Sequence, residues 1–258
     1  MTSSAAGDWY ECWRHIVQKV RRVESPEALQ ALLAELVQPS RPQTVSYVNA
    51  HSMNTVVSSR AFFDALTASD LLLRDGSGMA TLFRVLALPP GLNLNGTDLI
   101  PTIIRHFNGR RIALYGTKEP YLGRAGIAVQ RLAPDSAVSC THGFLGPAEY
   151  LALAAHSRPE LIVLGMGVPK QEMLARLLRD SLEAPCLIIC GGAILDFLGA
   201  RFSRAPRFLR AAGLEWIYRL ALEPRRLFNR YVLGNPLFLY RALRFRWAQR
   251  RLSLAQDA

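Results

Sequence analysis

The chain has 258 residues, half of them hydrophobic, and a formal net charge of +11. This length suits one large domain, or one domain with an appendage, and the composition excludes a mainly disordered protein. No apolar run of about 18 residues occurs, so the sequence predicts no helix that spans a membrane.

The positive charge is concentrated near the C-terminus. Residues 201–258 contain 13 Arg, no Lys and 3 acidic residues, whereas residues 1–200 hold 18 Lys plus Arg against 17 acidic residues. Arginine suits bidentate contacts with phosphate on a lipid, a nucleotide or a nucleic acid. We therefore expect a nearly neutral body over residues 1–200, which opens with helices in residues 1–40, and a basic helical appendage over residues 201–258.

The N-terminal part of the chain predicts two helices, over residues 8–22 and 26–37. A first strand follows over residues 44–50 and ends in a polar cluster that contains Asn49 and His51. One or two further helices then extend to about residue 67.

The central stretch is residues 71–78, in which an apolar run ends at Asp75 and glycines lead into a helix. Ligands of open α/β sheets bind beyond the carboxyl ends of the strands, where Asp75 would lie. Gly76 would let a substrate approach the backbone. Asp75 is therefore our candidate for a catalytic base. The alternative, in which its carboxylate only caps the next helix, stays open.

The rest of the body alternates between strands and helices. Residues 93–98 taken alone indicate a turn and a cap for a helix that ends near residue 107. Strands are predicted over residues 111–116, 137–141, 160–165 and 185–192, with helices over residues 117–131 and 147–156 and another ending at residue 179. This alternation is typical of an α/β fold with a Rossmann-like, mostly parallel sheet flanked by helices. Helices over residues 213–222, 224–233 and 236–252 follow in the appendage.

The turn at residues 165–172 carries the most position-sensitive residue types. Gly165 and Gly167 open the backbone, and a proline begins the next helix. Lys170 and Gln171 at the helix N-terminus are well placed for phosphate or sugar hydroxyls. Gln171 and Glu172 could instead merely cap the helix, but the coincidence of residue types favours a binding site.

Several cofactor and metal motifs are missing from the sequence. The third glycine of a dinucleotide fingerprint is replaced by Lys170, and no P-loop occurs. None of the five His pairs with Cys, Asp or Glu at metal-ligand spacing, and no Asp-x-Asp pair is present. The sequence thus predicts no cofactor and no metal. The four Cys form no Cys-x-x-Cys pair, and we expect them to be buried and reduced.

Several motifs in register resemble the WecG/TagA/CpsF family of bacterial glycosyltransferases, over roughly residues 43–240. The motifs are Asn49-Ala50-His51, Asp75-Gly76-Ser77-Gly78, Asn95-Gly96-Thr97-Asp98, Gly165-Met166-Gly167-Val168-Pro169-Lys170-Gln171-Glu172, Gly191-Gly192-Ala193-Ile194-Leu195-Asp196-Phe197, Arg204-Ala205-Pro206, Leu214-Glu215-Trp216-Ile217-Tyr218-Arg219-Leu220 and Glu223-Pro224-Arg225-Arg226.

The resemblance implies an inverting transfer of a hexose or N-acetylhexosamine from a UDP-sugar to a polyprenyl-diphosphate-linked sugar. It makes Asp75 the general base and places Asn49 beside the substrate. A hydroxyl residue often stands two places before that Asn in the family, and here the position holds Tyr47. Gln171 would contact the nucleotide-sugar, and the appendage would bring Arg204, Arg207 or Arg210 to the diphosphate. The other expected substrate-binding residues are His51, Gly76, Asn95, Gly96, Thr97, Asp98, Gly165, Gly167, Lys170, Glu172 and Gly192.

The same resemblance implies a role in exopolysaccharide, capsule or cell-wall polymer synthesis, at the inner face of the cytoplasmic membrane. The N-terminus lacks the features of a secretory signal, and the basic tail would attract an anionic membrane surface. The appendage helices could instead pack on a neighbouring subunit. Two other functions stay open as alternatives: a nucleic-acid-binding protein that uses the basic tail, and a nicotinamide-dependent enzyme acting on sugar nucleotides.

Overall fold

The computed structural model describes the backbone of residues 4–256 and the side chains of residues 9–210 and 212–251. Two short ranges lie outside the described residues: residues 1–3 at the start of the predicted body and residues 257–258 at the end of the predicted appendage. In the described part, seven strands form one sheet in the order β1-β3-β2-β7-β6-β4-β5. The strands are β1 (Val20–Arg21), β2 (Gln43–Val48), β3 (Leu71–Arg74), β4 (Arg111–Gly116), β5 (Ala137–Thr141), β6 (Leu161–Gly165) and β7 (Leu187–Cys190).

Every strand pair in this sheet is parallel, which confirms the predicted α/β fold. The inner strands β3, β4, β6 and β7 are mainly apolar because both faces of a parallel sheet are covered by helices, whereas β2 also buries Thr44 and Ser46. The helices are α1 (Ser4–Lys19), α2 (Pro26–Leu36), α3 (Ala50–Ser58), α4 (Arg60–Ala68), α5 (Gly76–Val85), α6 (Gly96–His106), α7 (Tyr121–Leu132), α8 (Pro147–Ser157), α9 (Lys170–Ser181), α10 (Ile194–Leu198), α11 (Arg207–Ala211), α12 (Glu215–Leu222), α13 (Pro224–Phe228) and α14 (Gly234–Gln256), with a π-helical turn at Asn229–Leu233.

The two faces of the sheet carry separate parts of the core. Alternate strand residues face α2, α6, α7 and α10 on one side. The remaining strand residues face α1, α3, α4 and α5 at one end of the other side, and α8 and α9 at its opposite end. This alternation follows from the two-residue period of a strand. Because all the strand pairs are parallel, the carboxyl ends of the strands lie on one edge of the sheet.

The helix predicted over residues 8–22 extends too far at its C-terminal end. The helix ends at Lys19, and Val20 and Arg21 form β1, which pairs with Leu72 and Leu73 of β3. The edge of β3 offers unpaired backbone groups that these two residues satisfy. A two-residue strand has no local pattern, so only the tertiary contact decides its conformation.

The expectation of four buried cysteines is wrong for Cys140. Cys12, Cys186 and Cys190 are buried, but Cys140 is exposed on β5. β5 lies at the edge of the sheet and is only partly covered by helices, which is why its side chains reach the surface.

The last helix of the appendage packs on the body. Phe238, Ala242 and Phe245 of α14 are buried in the same cluster as Trp13 of α1. Asn54 of α3 donates to the Gly234 carbonyl at 2.8 Å and accepts from the Arg241 guanidinium at 2.9 Å. The opposite surface of α14 leaves large apolar side chains exposed: Leu237, Leu239, Tyr240, Leu243 and Trp247. None of the helices in the described part of the chain has the length and apolar character needed to cross a membrane.

Candidate active site

Two adjoining cavities open at the carboxyl edge of the sheet. The strand-end cavity has a volume of about 480 Å³ and lies over the ends of β2, β4, β6 and β7. The tail cavity has a volume of about 330 Å³ and lies between the ends of β2 and β3 and the appendage. Their linings share six residues: Asn49, Asp75, Thr97, Phe197, Arg219 and Arg230.

Asp75 and Asn49 are brought together by the register of two neighbouring strands. Val48 of β2 pairs with Arg74 of β3, and the Asp75 amide donates to the Val48 carbonyl at 2.9 Å. The side-chain amide of Asn49 then lies 3.4 Å from Asp75 Oδ2. Asp75 precedes α5, but its side chain makes no capping hydrogen bond. The helix-cap alternative for Asp75 is therefore not what the structure adopts, and the carboxylate faces the two cavities.

The surroundings of Asp75 act on its proton affinity in opposite directions. Burial raises the pKa of the Asp75 carboxyl above its ordinary value. The hydrogen bond from Asn49 and the positive charges of Arg230, Arg219 and Arg74 pull the pKa down. The net effect is an increase, which makes the carboxylate a stronger base, while the cations favour its ionised form.

Asn49 and His51 lie at the start of α3. Asn49 Oδ1 accepts from the Ser52 amide at 3.0 Å and caps the helix. His51 lines the tail cavity, and burial together with Arg230 lowers its pKa to about 4. His51 is therefore neutral at neutral pH and offers one donor and one acceptor.

The predicted Asn95–Asp98 motif is divided between the cavities. Asn95 caps α6 by accepting from the Asp98 amide at 3.0 Å, as the turn-and-cap interpretation expects. Asn95 also lines the tail cavity, Gly96 lines the strand-end cavity and Thr97 lines both. Asp98 lines neither cavity, because its carboxylate is paired with Arg204 at 2.5 Å.

Glycines form much of the remaining wall. Gly76 lines the tail cavity, whereas Gly165, Gly167 and Gly192 line the strand-end cavity. Gly192 has a φ of +61°, a left-handed conformation that other residues adopt only with strain. A Cβ at Gly165 would lie 2.7 Å from the Leu195 side chain, so glycine is required for α10 to approach β6.

The turn at residues 165–172 was expected to bring three polar side chains to the substrate, and the structure places only one of them in the wall of either cavity. Gln171 lines the strand-end cavity, and its side chain binds the Gly192 amide rather than capping α9. Lys170 lines neither of the two cavities, because its ammonium group donates to the Gly143 carbonyl at 2.9 Å. Glu172 is 1 % exposed and lies behind Gln171, so direct substrate contact by Lys170 or Glu172 is not what the structure supports.

The appendage brings arginines to the site, but mostly different ones from those expected. Arg210 lines the tail cavity, whereas Arg204 is paired with Asp98 and Arg207 is exposed outside both cavities. Arg219 on α12 and Arg230 on the π-helical turn line both cavities. The resemblance suggested the earlier arginines, but α12 and the π-helical turn bring Arg219 and Arg230 close enough to Asp75 to lower its pKa.

Further residues of the site were missed by sequence reasoning, although the motif that contains two of them was recognised. Glu215, Trp216 and Tyr231 line the tail cavity, and the rings of Trp216 and Tyr231 lie 5.9 Å apart. Burial raises the pKa of the Glu215 carboxyl, against the influence of nearby arginines. The signal that could have identified Glu215 and Trp216 was their place in the quoted Leu214–Leu220 motif.

A second missed group lies at the other end of the strand-end cavity. Thr117 donates to Asp196 at 2.5 Å, and Arg201 lies 3.2 Å from the same carboxylate oxygen. Lys118 and Arg226 complete this charged end of the lining. The cavity therefore combines glycine-rich backbone with both donors and acceptors, as a nucleotide site requires.

Among the described residues, no three His, Cys, Asp or Glu side chains are grouped so that they could hold a metal ion. Independence from a metal stays a prediction. The arginines provide the positive charge that is present around Asp75.

Comparison with known proteins agrees with this geometry. The model of the glycosyl transferase WecG/TagA/CpsF family matches residues 15–252. A protein of Staphylococcus aureus strain NCTC 8325 / PS 47 is 23% identical over 245 residues, which cover 93% of this chain and 91% of the relative. Its name is N-acetylglucosaminyldiphosphoundecaprenol N-acetyl-beta-D-mannosaminyltransferase, and the protein of that name from strain MRSA252 matches to the same extent.

The family match extends from α1 into α14 and includes both cavities and the appendage. The motifs that line the cavities are the ones on which the sequence resemblance rested. The chain therefore belongs to the WecG/TagA/CpsF family of glycosyltransferases.

Proposed function

We propose that this glycosyltransferase moves a hexose or N-acetylhexosamine from a UDP-sugar to a sugar carried on a polyprenyl diphosphate. The observation that carries the proposal is the position of Asp75 at the shared wall of two cavities, with Arg219 and Arg230 beside it. A transfer between two bulky substrates needs such a place, where both reacting groups meet one base.

The proposed chemistry is a single displacement. An acceptor hydroxyl oxygen attacks the anomeric carbon of the donor sugar while Asp75 takes the hydroxyl proton. The bond from that carbon to the β-phosphate oxygen breaks, and UDP leaves with the electron pair. Attack from the face opposite the leaving group inverts the anomeric configuration.

The strand-end cavity suits the UDP-sugar. Its glycine turns let a diphosphate approach the backbone, and Arg219 and Arg230 can neutralise the charge that develops on the leaving UDP. This neutralisation by arginine is the reason to propose a reaction that needs neither a metal nor a cofactor. Asp196, held by Thr117 and Arg201, supplies acceptors at the cavity's far end.

The tail cavity suits the acceptor sugar. Trp216 and Tyr231 offer aromatic faces, while His51, Asn95 and Glu215 offer donors and acceptors for sugar hydroxyls. Leu239 of α14 lines the same cavity and belongs to the exposed apolar surface of that helix. A lipid-linked sugar could therefore enter from the side of the appendage.

We also propose that the protein works on the cytoplasmic face of the membrane as a peripheral protein. The appendage combines exposed Leu243 and Trp247 with arginine, and each cation near an anionic surface contributes about 1 kcal/mol. The names of the relatives support an acceptor of the N-acetylglucosaminyl-diphosphoundecaprenol type. The product would then serve a cell-wall, capsular or exopolysaccharide polymer.

The family match gives this proposal precedence over the nucleic-acid-binding and nicotinamide-dependent alternatives drawn from the sequence. The test is UDP release by the full-length protein with a lipid-diphosphate-linked N-acetylglucosamine acceptor and a panel of UDP-sugars. The variants are Asp75→Asn and, as a control, Asp64→Asn, which changes an acid of a surface ion pair on α4.

We expect acceptor-dependent release that persists in EDTA, collapses in Asp75→Asn and is unchanged in Asp64→Asn. Wild-type rates in Asp75→Asn would remove Asp75 from the role of base. Loss of release in EDTA that added divalent ions restore would contradict the metal-independent reaction. Absence of release with every UDP-sugar would contradict the donor class.

A further inference from the structure

Glu172 is a buried acidic residue that the proposed displacement does not use. It lies in the first turn of α9 and is 1 % exposed, and it lines neither cavity. One carboxylate oxygen accepts from the side-chain amide of Gln171 at 2.8 Å. The other oxygen is buried without a hydrogen-bond partner among the described residues. Such a carboxyl costs stability, so its retention calls for a physical reason.

The Gln171 amide joins this carboxyl to the wall of the strand-end cavity. Gln171 is 3 % exposed, and while its NH₂ group donates to Glu172, its carbonyl oxygen accepts from the Gly192 amide at 2.9 Å. Gly192 follows β7 in a left-handed conformation and lines the cavity. One hydrogen-bonded chain therefore runs from Glu172 through Gln171 to a cavity-lining turn.

The hydrogen bonds that Gln171 forms with Glu172 and Gly192 fix the orientation of the Gln171 side-chain amide. A flipped amide would place its NH₂ group against the Gly192 N–H and its carbonyl oxygen against the Glu172 acceptor, which are two repulsive contacts. Without an acceptor at residue 172, only the Gly192 contact would hold the amide, and a buried N–H would lose its partner. The Glu172 carboxyl is therefore the second group needed to hold the Gln171 amide in one orientation.

We infer that Glu172 is a positioning residue for the donor site: it orients Gln171, and Gln171 holds the Gly192 turn against the UDP-sugar. This inference rests on the proposed function, because it assigns the strand-end cavity to the donor. Glu172 touches no substrate and is distinct from the substrate-binding role that the sequence suggested for it.

The neighbourhood of Glu172 agrees with an indirect role. Burial raises its pKa to about 7, although the hydrogen bond from Gln171 opposes that rise. Cys190 of β7 lies close enough that the Glu172 charge raises the pKa of its thiol, and Cys190 also lines the strand-end cavity. Glu172 thus lies directly behind the cavity wall.

A double-mutant cycle tests the route through Gln171. The variants of the full-length protein are Glu172→Leu, Glu172→Gln, Gln171→Ala and the double variant Glu172→Leu/Gln171→Ala. For each, UDP affinity is measured by titration calorimetry, and kcat and KM are measured for donor and acceptor. Thermal unfolding reports on folding, and Glu183→Leu, an exposed site just after α9, is the control.

We expect Glu172→Leu to lower kcat/KM for the donor by about tenfold, the effect of one lost hydrogen bond with its geometry, and to leave the acceptor KM unchanged. Glu172→Gln keeps a carbonyl acceptor and should restore kcat/KM to within about twofold. Glu172→Leu should add no further loss to Gln171→Ala, since the two residues act in series.

Additive losses in the double variant, or a Glu172→Gln variant as impaired as Glu172→Leu, would overturn the inference. Equal losses for donor and acceptor with a lowered unfolding temperature would assign Glu172 to stability alone. If the wild type neither binds UDP nor releases it, the proposed function fails instead, which separates the two failures.

Discussion

The side chain of Asn49 uses both ends of its amide, and one end faces Asp75. Its oxygen caps α3 through the Ser52 amide at 3.0 Å, while its nitrogen lies 3.4 Å from Asp75 Oδ2. The cap fixes the orientation of the amide, so the group presented to Asp75 is a donor. The helix that follows β2 thereby helps to hold the carboxylate in its ionised form.

Replacement of Asn49 by Asp should separate these two tasks. Aspartate caps a helix as well as asparagine does, so the unfolding temperature should change little. Beside Asp75, however, the substitution replaces a hydrogen-bond donor with a second carboxylate. The repulsion between the two carboxylates raises the pKa of the pair, so a smaller fraction is ionised and able to act as a base at neutral pH. We expect kcat/KM to fall and its acid limb to move to higher pH, as measured by the pH dependence of UDP release.

Asn49→Ala is the matched comparison, because it removes the cap as well and should cost about 1 kcal/mol of stability. An Asn49→Asp protein with the pH profile of the wild type would show that Asn49 does not control the proton affinity of Asp75.

Arg230 should contribute to binding of the diphosphate. It lines both cavities from the π-helical turn, and a hydrogen bond to a charged group contributes about 1.5–3 kcal/mol. Arg230→Gln should therefore weaken UDP binding by about tenfold or more in titration calorimetry. Arg131→Gln, an exposed site at the end of α7, should bind UDP as the wild type does.

The same substitution should change the titration of His51. Burial and Arg230 together hold the pKa of His51 at about 4, and burial is the larger cause. Removal of the arginine charge should raise that pKa part of the way towards 6.5, which NMR of the imidazole protons can follow. An unchanged His51 titration would mean that Arg230 does not face this side chain in solution.

Glu172 should make the protein less stable as the pH rises. Its folded-state pKa of about 7 lies above the ordinary 4.5, so the native state holds a proton that the unfolded chain releases. Stability is therefore lost between about pH 4.5 and 7, up to about 3 kcal/mol for this difference in pKa. Cys190 beside it does not titrate in this window, because its thiol pKa is raised well above 9.

Denaturant unfolding of Glu172→Gln and the wild type at pH 4 and pH 8 provides the measurement. The unfolding free energy of Glu172→Gln minus that of the wild type should rise by about 3 kcal/mol from pH 4 to pH 8. Glu183→Gln at the surface serves as the control and should show no such growth. A constant difference between Glu172→Gln and the wild type would contradict a raised pKa.

Phe245 should anchor the appendage to the body. Its side chain is fully buried against Trp13, with ring centroids 5.9 Å apart. Phe245→Ala should lower the unfolding free energy by about 3–5 kcal/mol, the usual cost of removing a buried aromatic ring. Trp247→Ala on the exposed side of the same helix should cost far less. Equal effects of the two substitutions would mean that α14 does not dock as described.

The fold and the position of Asp75 could be predicted because they follow from local patterns. Alternating apolar runs and helices specify a parallel sheet, and residues that end neighbouring parallel strands meet at one edge. Asn49 and Asp75 are such residues. The catalytic role of Asp75 stays a prediction until its variants are measured.

The arginines of the site could not be predicted in the same way. Arg219 and Arg230 lie on helices whose path over the body is decided by contacts such as Phe238 with Trp13. Likewise, nothing in the sequence around Lys170 indicates that its ammonium group turns to the Gly143 carbonyl. Side-chain direction at a helix N-terminus depends on the neighbouring loop, which the local sequence does not describe.

Helix α3 is nine residues long. It contacts Asp75 through its cap residue Asn49, and near its middle Asn54 binds the beginning of α14. The tail is therefore not an interchangeable module. A chimera that received residues 201–258 from a relative would need a matching Asn54, Trp13 and Met53 surface to seat them. Evolution of a new acceptor preference in this chain should accordingly involve paired changes in α3 and the tail, rather than changes in either alone.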